Sequence, residues 1–103
     1  MKVFNPMDIT QEEFEAEARE ILSRMADFLP KKNKDYGSAS FGSGIIGNAV
    51  RMDDKMTRLK NIVNSMIENP GVKPNFESLG DTYDDIIGYA VIGRIIFNRT
   101  QKD

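Results

Sequence analysis

The sequence predicts an all-α fold: a three-helix antiparallel bundle unit with one long loop, assembled as a homo-oligomeric helical bundle. Three observations carry this. Apolar residues recur every three or four positions over three long stretches, the spacing of an amphipathic helix. Proline falls between those stretches rather than within them, and glycine does too, apart from Gly47 in the second and three glycines in the last. The last stretch is apolar on more than one side, and a helix of that kind needs cover on both sides.

Residues 1–9 form a lead-in. Thr10-Gln-Glu-Glu13 is a capping box, in which hydroxyl and carboxylate satisfy each other's exposed backbone N–H groups. The first helix carries Phe14, Ala18, Ile21, Leu22, Met25, Phe28 and Leu29 on one face, and Pro30 is expected to end it. From Lys31 to Gly44 the periodicity disappears, leaving a lysine-, glycine- and serine-rich loop longer than a usual helix–helix connection. The second helix, Ile45 to Glu68, has Ile45, Ala49, Met52, Met56, Leu59, Val63 and Met66 as a heptad-like stripe. Asn69-Pro70-Gly71 ends it, and Val72 to Phe76 is a short connection. The third helix runs from Glu77 to about Asn98, with Leu79, Tyr83, Ile86, Ala90 and Phe97 as its core-facing stripe, before a polar tail at 99–103. A short linker between two long helices implies antiparallel packing. Three helices leave little to cover the second side of the third, which is the argument for self-association.

Composition narrows the chemistry. A chain of 103 residues is one domain. It has no cysteine, histidine or tryptophan, which removes disulfides, thiolate and imidazole metal ligands, and imidazole bases. A metal would be bound through oxygen, favouring magnesium, manganese or calcium. The net charge of −2 argues against direct DNA binding through bulk charge. No apolar run reaches the eighteen or so residues of a membrane span, and no signal-peptide core forms, so a cytoplasmic protein with no membrane partner is expected.

Three constellations stand out. Glu77, Asp81, Asp84 and Asp85 gather at the start of the third helix; Asp81 and Asp84, three residues apart, can share a divalent cation, although a solvated acidic helix start gives the same pattern. Arg51, Asp54, Lys55 and Arg58 lie together on the second helix, away from its stripe. Asp54 would add a cation ligand and the basic residues would hold phosphate oxygens; an intrahelical ion-pair ladder is the structural alternative. The loop Lys31-Lys32-Asn33-Lys34-Asp35-Tyr36-Gly37, continuing to Phe41 and Gly44, offers lysines for phosphates and an aromatic ring, Tyr36 or Phe41, for a base. Together the three suit a nucleotide better than a peptide or a sugar.

These residues carry a resemblance. Lys-x-x-Asp35-Tyr36-Gly37, Arg51-Met-x-Asp54-Lys55-x-x-Arg58-Leu59 and Glu77-Ser78-x-x-Asp81-Thr82, followed by Asp84/Asp85 and Tyr89-Ala90, resemble the phage and bacterial nucleotide-modification-associated domain 1 family over about residues 31–92. That family is similar in outline to the all-α MazG-like nucleoside triphosphate pyrophosphohydrolases. The resemblance implies a helical oligomer, Mg2+, and cleavage of the α–β phosphate bond. Within it, Asp81 and Asp85 would be catalytic. Asp54, Glu77, Asp81, Asp84 and Asp85 would hold the metal. Lys34, Asp35, Tyr36, Gly37, Arg51, Lys55 and Arg58 would form the nucleotide pocket. Helical spacing favours Asp84 as the partner of Asp81, whereas the resemblance favours Asp85. One departure is plain: the second helix lacks the Glu-x-x-Glu of the pyrophosphohydrolases and has Asp53 and Asp54 among basic residues. A non-catalytic nucleotide-binding module and a helical interaction protein are the competing readings.

Overall fold

The computed structural model describes residues 4–36, 40–73 and 76–101. After a 3-10 turn at Pro6–Asp8, the chain forms α1 (Gln11–Tyr36), α2 (Gly44–Glu68) and α3 (Phe76–Thr100). The described residues contain no strand, and none of their helices is long and apolar enough to cross a membrane.

Local chemistry explains most of the boundaries. The Thr10 amide donates to Glu13 Oε1 at 3.0 Å and the Glu13 amide donates to Thr10 Oγ1 at 3.1 Å, the reciprocal pair of a capping box. Gly44 opens α2 at φ +61°, a left-handed conformation that a side chain would strain. At the other end of α2, both the backbone and side-chain N–H groups of Asn69 donate to the Ser65 carbonyl.

Pro30 does not end the first helix. It lies inside α1, which continues to Tyr36, so residues 31–36 of the expected loop are helical. A proline removes one helical hydrogen bond and crowds the carbonyl four residues back. Here Lys31 and Lys32 favour helix beyond it, and Lys32 is engaged by Asp85 of α3.

The main packing is between α2 and α3; α1 touches α3 over a short stretch. On α2, besides Gly44 and Gly47, the half-buried and buried positions are Asn48, Met52, Lys55, Leu59, Ile62 and Met66, rotated by about one residue from the expected stripe. Ile45, Ala49, Met56 and Val63 are exposed. On α3, Thr82 and Gly88 are buried, whereas Tyr83, Ala90 and Phe97, expected in the core, are exposed. The cause is visible in the seam. Asn48 Nδ2 donates to the Tyr89 carbonyl at 2.8 Å, and its amide lies against Gly93, where a Cβ would collide with it. Small residues and one polar anchor, rather than the largest apolar side chains, set the rotation of the two helices.

The apolar stripe of α1 is left largely open. Met25 is buried at 2% exposure, yet Phe14, Ile21, Leu22 and Phe28 are all exposed. The radius of gyration is 16.4 Å, against about 13 Å for a compact chain of this length.

Candidate functional site

Where α1 crosses α3, α1 supplies the cations and α3 the anions. The helical spacing of Arg24, Phe28 and Lys32 puts all three on one flank of α1. Arg24 meets Asp84 in a two-pronged ion pair, Nη1 to Oδ2 and Nη2 to Oδ1, each at 2.9 Å. Those bonds hold the Asp84 carboxyl below its ordinary range, with burial opposing, and raise the Arg24 guanidinium above its own. One turn on, Leu29 packs where a Cβ on Gly88 would sit, so the absence of a side chain at Gly88 is what lets α1 approach.

Asp85 is the centre of a second group. Its Oδ2 accepts from Lys55 Nζ at 3.0 Å and its Oδ1 from Lys32 Nζ at 3.5 Å, joining all three helices through one carboxylate. Lys32 also lies 5.7 Å from the Phe28 ring centroid, within cation–π range.

All of these residues except Arg24 line a cavity of about 500 Å³, within the roughly 300–1,000 Å³ of small-molecule sites. Its wall includes Met25, Phe28, Leu29 and Pro30 from α1, Ser40 and Phe41 from the connection, and Ile92 and Ile95 from α3. Its polar groups are Lys32, Asn33, Arg51, Lys55, Asp84 and Asp85. One of them is unsatisfied: Asn33 Oδ1 is shut off from solvent and no donor among the described residues reaches it. An unmatched buried acceptor costs about 1–3 kcal/mol.

The expected site residues divide into those that converge here and those that do not. Arg51, Lys55, Asp84 and Asp85 line the cavity. Lys55, placed away from the α2 seam by the sequence, is in fact in it. Arg58 and Asp54 line a different groove, with Thr57, Asn61 and Lys73; there the Arg58 guanidinium donates to Ser78 Oγ at 2.9 Å. Lys34 and Asp35 are exposed on the last turn of α1 and do not line the cavity. The Tyr36 side chain and Gly37 lie outside the described residues.

The carboxylates expected to hold magnesium do not form a cage. Among the described residues no group of three or more acidic side chains could hold a metal ion. Asp84 and Asp85 turn their oxygens toward Arg24, Lys32 and Lys55, Asp54 lies in the other groove, and Glu77 and Asp81 are exposed. This donor set does not fit a protein-held magnesium ion.

Sequence reasoning missed Arg24, Lys32 as a structural partner of Asp85, and Asn48. Arg24 and Lys32 share helical spacing with Phe28, a signal that a helix stop at Pro30 would hide. Asn48, the one polar residue of the α2 seam nearest Gly93, could not be told from a surface position by pattern alone.

The family model described as nucleotide modification associated domain 1 matches residues 32–97. No curated protein and no solved structure matches the chain.

Proposed function

Because the chain belongs to the nucleotide modification associated domain 1 family, we propose that it binds a nucleotide in the cavity between its three helices. The observation that carries this reading is the convergence of Lys32, Arg51 and Lys55 with the exposed rings of Phe28 and Phe41 on one cavity. Cations suit phosphate oxygens, and aromatic faces suit a base. Asp85 keeps the two lysines gathered, and an incoming phosphate competes with it for them. Magnesium enters as the ion carried by the phosphates of the nucleotide.

The alternative is a cytoplasmic nucleoside triphosphate pyrophosphohydrolase that cleaves the α–β phosphate bond, with Asp81 and Asp85 as its acidic residues. It rests on the resemblance of the sequence motifs to the MazG-like pyrophosphohydrolases; the ion pairs of Asp84 and Asp85 favour binding over this reading.

Self-association completes the proposal. The chain exposes 8303 Å², whereas a folded monomer of 11.6 kDa is expected to expose about 5,800 Å². The excess, about 2,500 Å² per chain, matches the scale of obligate interfaces, roughly 2,000–5,000 Å² in total. The open faces of α1 and α2 are apolar, with Ile46 at 82% exposure the extreme case, and a second copy is the occupant that fits. An antiparallel α2–α3 hairpin is the protomer of this assembly. Its support is that Arg58 meets Ser78, Lys55 meets Asp85 and Asn48 meets Tyr89, numbers falling on α2 as they rise on α3.

The test is incubation with ribo- and deoxyribonucleoside triphosphates plus magnesium, read by mass spectrometry and thermal shift. A nucleotide that raises the melting temperature and returns intact is expected. Monophosphate and pyrophosphate that vanish in Asp81→Asn would establish the hydrolase instead. Silence in both readouts would leave a helical interaction protein.

A further inference from the structure

We propose that Asn33 reads the base: its side-chain oxygen, shut off from solvent in this structure, turns toward the nucleotide in the cavity and accepts a hydrogen bond from a ring or exocyclic N–H group. This rests on the nucleotide-binding reading and deepens it by assigning one end of the site to the base.

The first support is the orphaned acceptor. Asn33 Oδ1 is buried and no donor among the described residues reaches it, whereas buried side-chain polar atoms nearly always have a partner. An unsatisfied group of this kind calls for an explanation, and a ligand donor is one. The second is position. Asn33 lines the same cavity as Lys32, Arg51 and Lys55, so a ligand whose phosphates meet the cations has its remaining body within that space. The third is chemistry. A carboxamide presents one acceptor beside one donor, the arrangement that pairs with the edge of a base. Phosphate has no N–H to offer, so the cations cannot share their ligand group with Asn33. A sugar hydroxyl can donate, but the neighbouring wall of Leu29, Pro30 and Phe41 is apolar and suits a flat ring better than a hydroxyl-rich one.

The experiment compares wild type, Asn33→Ala and Lys55→Ala by calorimetric titration. The ligands are the best-binding nucleoside triphosphate, ribose 5-phosphate and inorganic triphosphate. We expect Asn33→Ala to weaken the nucleotide roughly tenfold while binding inorganic triphosphate and ribose 5-phosphate as wild type does. Nucleotide affinity unchanged in Asn33→Ala overturns the assignment, and an equal loss for ribose 5-phosphate transfers Asn33 to the sugar and overturns it too. If Lys55→Ala leaves every affinity unchanged, or wild type binds nothing, the nucleotide reading itself fails. A second measurement is independent of any variant's folding: the Asn33 side-chain amide resonances of wild type shift with nucleotide but not with inorganic triphosphate. Resonances that ignore the nucleotide would refute the assignment.

Discussion

If the proposed self-association holds, replacing Leu22 by alanine should dissociate it without unfolding the packed pair α2 and α3. Leu22 sits mid-helix on the α1 stripe and is 58% exposed in the single chain. Burying a whole leucine is worth about 1.5–3 kcal/mol, so covering its open part contributes roughly 1–2 kcal/mol per copy. In a symmetric dimer the residue appears twice, giving about 2–4 kcal/mol, and at about 1.4 kcal/mol per tenfold the dissociation constant rises roughly 30- to 700-fold. Sedimentation velocity over a concentration series reads this directly. Wild type should sediment as a multiple of 11.6 kDa, and Leu22→Ala should shift toward monomer at concentrations where wild type stays associated. A wild-type chain that is monomeric throughout, with Leu22→Ala indistinguishable from it, would refute the area argument and its assignment of the α1 stripe.

Other perturbations probe the seam, the cavity and the α1 tether. Gly93→Ala places a methyl group where the Asn48 amide lies and should lower stability by about 1–3 kcal/mol in urea unfolding. Combining it with Asn48→Ala should recover part of that loss, and strict additivity would mean the two do not share one space. Lys55→Ala should weaken nucleotide binding by roughly tenfold to a hundredfold, the range of a charge-assisted hydrogen bond, and flatten its salt dependence in titrations. The Arg24–Asp84 pair makes stability depend on pH with a definite sign. The folded carboxyl of Asp84 titrates lower than normal, so its contribution is complete above the ordinary carboxylate range near ~4 and is lost as pH falls through the folded value. The melting temperature of wild type should exceed that of Asp84→Asn at pH 6, and the gap should close toward pH 3; a constant gap would show that the pair does not couple to folding.

Much of the fold was legible because helix periodicity and end signals are local. The capping box at Thr10, the stop at Asn69 and the start of α3 within one residue all follow from short-range chemistry. Pro30 misled because its cost is local, while what offsets it, the reach of Lys32 to Asp85, spans 53 residues. The rotation of α2 was illegible for a similar reason. A heptad stripe locates a face to within a residue or so, and here the decision lay with Asn48 and the missing side chain of Gly93. At the site, the basic and acidic residues were identified by type, and their pairing was not. Arg51, Lys55 and Asp85 came together in one cavity, whereas Arg58 and Asp54 went to another. A four-residue step along a helix fixes which side chains share a flank but says nothing about which flank meets a neighbour.

The short contact between α1 and α3 also bears on how the chain reaches its native state. The bonds between α2 and α3 join residues 20 to 41 apart, a shorter separation than that of the α1 tether, so this pair should form first. The α1 tether instead joins residues 60 apart, Arg24 and Asp84, and much of the stripe beside it is left open by the described residues. Refolding should therefore split into a unimolecular phase that builds the hairpin and a later encounter-controlled phase that slows on dilution. Until that second phase ends, α1 is free to dock on the α3 of another copy as readily as on its own. Exchange of the first helix between copies is thus the misassembly this topology invites.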